Sequence, residues 1–303
     1  MMVAMTDTLD ALNEHYPLRF DSIEFARDSV STAYIAFAGG EKYFLRHVKA
    51  PFVDGAKRGA DVQVFLQGQG FPVPAVILTN DGAPCAEDGE RLCILYEFID
   101  GREVDPKKDA QALGALVGQL HHAMKNYPGE LVKRGRQFYI DRYIAILREK
   151  QYPKADKFAA CGEALWTRVK DLPLGYCHGD MYRGNFHKTP GGRIYVLDFD
   201  TSCEGLPMYD LALICNQTHY FEFHSAGREK SLRAFERFLP EYLKRRPLSQ
   251  IEIDAFHDMI AVYHFALQAT ILELHGPGSV DDKFLDNQLD WLYRWQKQCK
   301  KRR

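Results

Sequence analysis

Residues Ser31–Phe37 and Lys42–Val48 are rich in β-branched and aromatic residues, with Gly39-Gly40-Glu41 between them. Two such runs joined by a short glycine turn predict a β-hairpin. In Asp61–Gln67, Val62, Phe65 and Leu66 fall at helical spacing before Gly68 and Gly70 end the pattern. Val73–Leu78 and Leu92–Phe98 read as two further strands, separated by an Asn80-Asp81-Gly82 turn. Asp100-Gly101 then breaks the pattern. It marks the expected boundary between an N-terminal lobe, residues 1–99, and a C-terminal lobe, residues 100–303.

Past that boundary the dominant period becomes helical. Asp109–Met124 sets Leu113, Leu116, Val117 and Leu120 on one face. Further helices are expected near Gln137–Lys150 and Lys157–Lys170. Gly175–Asn185 reads as a loop, and Ile194–Phe199 as a short strand after a Pro190-Gly191-Gly192 turn. From Met208 onward only helices are expected. The predicted architecture is α+β. A small antiparallel-sheet lobe with one helix precedes a larger, mostly helical lobe.

Composition removes several function classes. A chain of 303 residues is long for a single core, which fits two lobes. A net charge of -2 supplies no basic field for nucleic acid. No apolar run approaches the ~18 residues that span a bilayer, so no membrane association is expected. The first residues include acids and no apolar stretch, which reads against a secretory leader. The seven cysteines are odd in number and lack C-x-x-C spacing, so reduced thiols and a cytoplasmic location are expected. The basic run Lys300–Arg303 reads as a solvated helix end.

The chemistry is concentrated between Tyr176 and Asp210. Asp180 is followed by Asn185 and then by Asp198 at the end of the Ile194–Phe199 strand. Phosphoryl transfer needs a group that orients the attacking hydroxyl and receives its proton. It also needs hard oxygen ligands for magnesium. The protein-kinase catalytic loop and the D-F-G segment have the same order and the same Asp-to-Asn spacing. Alone, Asp180 and Asn185 would more often be helix caps or turn residues. Their register with His178, Asp198 and Asp210 favours the catalytic reading.

His178-Gly179-Asp180 with Asn185, Asp198-Phe199-Asp200, and Tyr209-Asp210-Leu211-Ala212 together resemble the aminoglycoside phosphotransferase and choline kinase family, which has a protein-kinase-like fold. Asp28–Leu45 resembles its nucleotide-covering hairpin, Leu95–Gly101 its hinge, and Leu113–His121 its long helix. The resemblance implies an ATP- and Mg2+-dependent phosphotransferase with Asp180 as catalytic base or hydroxyl-orienting group. It implies that Asn185 and Asp198 hold the metal and that the backbone of Glu97 and Ile99 receives adenine. Asp210 and His178 would brace the catalytic loop. Three departures stand out. Arg46 occupies the strand position of the phosphate-binding lysine, with Lys42 and Lys49 as alternatives. No helix glutamate is evident, Asp61 being the nearest acid. Ser29, Ser31 and Thr32 replace a glycine-rich loop, so Ser31 is expected to meet the phosphates.

The acceptor is expected to be a small hydroxylated molecule such as an amino-sugar, a choline-like compound or an amino-alcohol. Tyr182, Arg183, Asp200, Glu204, Tyr220–Phe223, Trp291, Tyr293 and Trp295 are candidates for contacting it. His121 and His122 read as structural residues at a helix end. The other histidines show no metal-ligand spacing. Two alternatives stay open: a Ser/Thr protein-kinase-like enzyme, and a non-catalytic nucleotide-binding module. The interval from Asp198 to Asp210 is short for a peptide-docking segment, which weighs against the first.

Overall fold

The computed structural model describes residues 2–88 and 91–300; residues 301–303 of the basic run lie outside the described residues. The chain opens with α1 (Met2–His15), β1 (Ser22–Asp28), β2 (Ser31–Ala38), β3 (Glu41–Val48) and α2 (Val53–Gly68). Four strands follow: β4 (Val76–Ile77), β5 (Ala86–Asp88), β6 (Arg91–Glu97) and β7 (Arg102–Glu103). Next come α3 (Ala110–Ala123), β8 (Val132–Lys133), a π-helical turn Gln137–Asp141, α4 (Arg142–Glu149), α5 (Ala155–Val169) and β9 (Gly175–Cys177). A 3-10 turn, Arg183–Asn185, leads into β10 (Phe186–Lys188), β11 (Ile194–Val196) and β12 (Cys203–Gly205). The chain closes with α6 (Met208–Cys215), α7 (Gly227–Leu243), α8 (Gln250–Asp254), α9 (Phe256–His275) and α10 (Asp282–Lys300).

The chain forms two compact units. The first holds the described residues up to Val104, with Asn126–Leu131 and Arg183–Ser202. The second holds Asp105–Lys125, Val132–Tyr182 and the chain from Cys203 onward. The first unit therefore runs past residue 99 and takes in a segment distant in sequence. The cause is strand pairing: β10 joins β7 through His187↔Glu103 and Lys188↔Arg102, and β11 through Phe186↔Val196. Such long-range pairing leaves no periodic trace near Asp100-Gly101.

In the first unit the main sheet runs β1-β2-β3-β6-β4, with β5 on β6, and its strand pairs are antiparallel. Period-two alternation divides β3 between two cores. Leu45 packs with Leu12, Tyr16, Phe20 and Tyr34 on one face. Phe44 and Val48 pack with Ala56 and Ala60 of α2, and with Ile94 and Tyr96, on the other. Among the described residues the unit thus has two α-helices, α1 and α2, where one was expected, because α1 covers the first face. Helix α2 begins at Val53 rather than Asp61. Its first half is built on Gly55, Ala56, Gly59 and Ala60, which carry no hydrophobic period. The expected strand Val73–Leu78 shrinks to β4, since Pro74 has no N–H to give a ladder.

In the second unit β12 joins β9 through Cys203↔Cys177 and β8 through Cys203↔Val132. The loop expected at Gly175–Asn185 therefore starts as a strand. Helices α3 and α7 pack closely at Gly118, where a Cβ would sit 2.9 Å from the Tyr242 carbonyl oxygen. All elements described from Met208 onward are helical. No disulfide links any of the seven cysteines, all of which lie among the described residues. No described helix is long and apolar enough to cross a membrane.

Candidate active site

In the first unit, Arg46 is on β3, between Ala33 of β2 and Ile94 of β6. A charged residue in a central strand needs partners, and Arg46 has them. Its Nη1 and Nη2 donate to Asp200 Oδ1 and Oδ2 at 3.1 and 2.6 Å, a two-pronged fork. Nη1 also lies 3.8 Å from Asp198 Oδ1. The Arg46 side chain is 7% exposed and that of Asp198 38%, so the cation is fixed in the protein while the carboxylate faces outward. Burial pulls the Arg46 pKa down. Tyr96, Asp200 and Asp198 outweigh it, and the net shift is upward.

Ser31 is buried, and its Oγ accepts from Arg46 Nε at 3.4 Å. The other candidate cations are elsewhere. Lys49 bonds Asp28 and the Ser29 carbonyl at the β1–β2 turn, at 3.0 and 2.5 Å. Lys42 lies over the Phe98 ring. Asp61 is exposed and makes no ion pair among the described residues, so it is not the partner of Arg46. Asp200 is that partner. In the Leu95–Gly101 segment, the Glu97 N–H already donates to the Ala75 carbonyl at 2.8 Å, and Ile99 follows the end of β6.

Asn185 ends the 3-10 turn before β10 and is buried. Its carbonyl accepts the Leu197 N–H at 2.9 Å, which ties it to the segment carrying Asp198. Asp198 has φ +58°, left-handed and unusual for a non-glycine residue. Such strain is found where a site dictates the backbone. A carboxylate and a carboxamide are hard oxygen donors of the kind magnesium prefers.

In the second unit the Asp180 loop is braced from below. Asp210, fully buried on α6, accepts the N–H groups of His178 and Gly179 at 2.6 and 2.9 Å. His121 Nε2 lies 3.1 Å from Asp210 Oδ2, and His121 Nδ1 lies 2.8 Å from the Tyr242 hydroxyl. Burial depresses the His121 pKa, and Asp210 opposes this only in part. His121 is thus a buried structural bridge between Asp210 and Tyr242. Gly179 takes φ +83°, and the Asp180 N–H donates to His178 Nδ1 at 3.3 Å. The turn that presents Asp180 is therefore held by hydrogen bonds on its inner side.

Three tyrosines of this unit lie within electrostatic reach of Asp180. The phenols of Tyr209, Tyr220 and Tyr263 are raised in pKa, chiefly by burial, and the Asp180 carboxylate adds to each shift. Their rings touch in series, with Tyr209–Tyr263 at 5.6 Å and Tyr220–Tyr263 at 5.3 Å. Of the three, only Tyr220 is among the expected acceptor contacts; Tyr209 enters the sequence reading as part of the Tyr209-Asp210-Leu211-Ala212 motif. Trp291 and Trp295 instead lie in the core, stacked 5.3 Å apart. Arg183 pairs with Glu103 at 3.1 Å. His219, Glu222 and His224 form an exposed group of possible metal ligands, but His219 Nδ1 already accepts the Glu222 N–H at 3.1 Å.

Homoserine kinase of Bartonella henselae is 26% identical over 77% of this chain and 74% of its own length. The structure of amicoumacin kinase hAmiN, in complex with AMP-PNP, Ca2+ and Ami, matches with a TM-score of 0.74 at 17% identity, covering 97% of this chain and 93% of that one. A microcompartment-associated aminopropanol kinase matches with a TM-score of 0.72 at 16% identity, over 97% and 98% of the two chains. These likenesses show a protein-kinase-like fold. The model of the phosphotransferase enzyme family matches residues 23–248, and with it the chain belongs to that family.

Proposed function

We propose that the protein transfers the γ-phosphoryl group of ATP to a hydroxyl of a small molecule, in a reaction that requires magnesium. The observation that carries this reading is Arg46 standing 3.8 Å from Asp198. A fixed cation beside a hard oxygen donor suits a polyphosphate that arrives with its metal. Asn185 and Asp198 would hold the metal, which when bound neutralises charge on the phosphate oxygens. Arg46 supplies the remaining positive charge, and Ser31 keeps its guanidinium aimed. The backbone at Glu97 and Ile99 receives the adenine. Asp180 orients the acceptor hydroxyl and takes its proton, from a turn stiffened by Asp210 and His178. Catalysis of this kind is mainly positioning and electrostatic stabilisation.

For the acceptor, the phenols around Asp180 favour a small polar molecule over a peptide. The relatives named above act on homoserine, aminopropanol and amicoumacin according to their names, and the first two are short hydroxylated amines. A Ser/Thr protein kinase-like activity has less support, since the interval from Asp198 to Asp210 contains β12 and the start of α6 and little else. A non-catalytic module has less support, since Arg46 has an acid partner in Asp200.

The test is acceptor-dependent ADP release over a panel of hydroxylated amines, amino acids and amino-sugars. Asp180→Asn is expected to abolish turnover, a loss of at least about a hundredfold, while ATP binding is retained. Turnover at the parent rate in the purified variant would remove Asp180 from the mechanism.

A further inference from the structure

The carboxylate that holds Arg46 comes from an unexpected place. Helix α2 packs on the same face of the sheet as Arg46, yet its own acids, Asp54 and Asp61, are exposed and make no ion pair among the described residues. The face that α2 turns to the Asp198–Asp200 segment is Gly55 and Gly59, one turn apart. A Cβ on Gly59 would lie 2.9 Å from Asp200 N and 3.0 Å from Asp200 Oδ1, and one on Gly55 would lie 3.0 Å from the Asp200 carbonyl oxygen. At those separations there is no room for a longer side chain on this face. An acid reaching toward Arg46 from these positions would displace the backbone it passes.

We propose that Asp200 is the positioning residue for Arg46, in place of an acid on α2, and that the glycine face of α2 seats it. This rests on the reading of Arg46 as the phosphate anchor. Both oxygens of Asp200 engage the guanidinium, which fixes the plane of the fork as well as its place. Asp200 is two residues beyond Asp198, with the buried ring of Phe199 between them. The anchor cation and the metal-binding carboxylate are therefore set by a single short stretch of backbone. A shift in that stretch moves both together. The position of the anchor then depends on how closely α2 approaches the stretch, and not on a salt bridge from α2.

Calorimetric binding of ATP with magnesium, set against binding of adenosine, tests this without knowledge of the acceptor. Asp200→Asn keeps the shape and removes the charge. It is expected to weaken ATP about tenfold, the value of a charge-assisted hydrogen bond, and to leave adenosine within about twofold. The double variant Arg46→Ala with Asp200→Asn should bind ATP no more weakly than Arg46→Ala alone. Gly59→Ala leaves both charges in place and should weaken ATP in the same selective way. It serves as the second variant should loss of the carboxylate impair folding. If Arg46→Ala weakens ATP but Asp200→Asn and Gly59→Ala do not, the positioning role is refuted and the anchor survives. Equal weakening of ATP and adenosine would mark general damage and also refute it. ATP binding unchanged in Arg46→Ala would instead overturn the anchor reading itself.

Discussion

Asp210 concentrates three hydrogen bonds on one carboxylate that is 0% exposed: from the His178 N–H, the Gly179 N–H and His121 Nε2. An amide at this position offers one acceptor oxygen and turns an NH2 group toward a donor. Asp210→Asn should therefore cost about 3 kcal/mol, the scale of breaking a buried charged network. The thermal midpoint is expected to fall by roughly 6–10 °C, and phosphoryl transfer should fall with it because the Asp180 turn loses its brace. An unchanged midpoint would show that the network carries no load. Asp180, Asn185 and Asp198 can be named as candidates from the sequence because their order and spacing fall within one short stretch. Asp200 was visible there as part of the Asp198-Phe199-Asp200 motif and as a possible acceptor contact, not as a partner of Arg46. Its partnership with Arg46 spans 154 positions, and no spacing rule reaches that far.

At the level of elements, α9 and α10 pack histidines against tryptophans. His264 stacks on Trp291 at 4.2 Å, and His257 on Trp295 at 5.9 Å. Burial lowers His264 to about 3 from 6.5. Burial, helped by Arg228, lowers His257 to about 4 from 6.5. Below pH 6.5 the unfolded chain takes up protons that these folded rings refuse. Stability therefore falls as the pH drops from 6.5 toward 4, by at most about 1.4 kcal/mol per pH unit for each histidine. The melting temperature should decline between pH 7 and 5, and His264→Phe should flatten part of that slope. A slope identical in the variant would exclude His264 as a source. The same pair of helices explains why sequence reading offered Trp291 and Trp295 as acceptor contacts. Aromatic residues at helical spacing look alike whether they line a cavity or fill a core, and only packing separates the two.

For the molecule as a whole, binding of the nucleotide should appear as added stability. A ligand at a hundred times its Kd contributes about 2.7 kcal/mol, so ATP with magnesium should raise the melting temperature by several degrees. Chelation of the metal, or Asp198→Ala, should remove most of that rise while sparing the effect of adenosine. A rise that ignores both would remove Asp198 from the metal site. The sequence by itself determined the class of fold, the family resemblance, and the short stretch in which Asp180 and Asn185 fall. Each of these is written in local period or in short-range spacing. It missed α1 and the start of α2, where the hydrophobic period is weak or replaced by small residues. Only the tertiary structure decided that residues 183–202 return to the first unit, that Asp200 takes Arg46, and that Tyr209 and Tyr263 stand near Asp180. Those outcomes depend on which distant surfaces exclude water together, a property of the folded chain that no window along it contains.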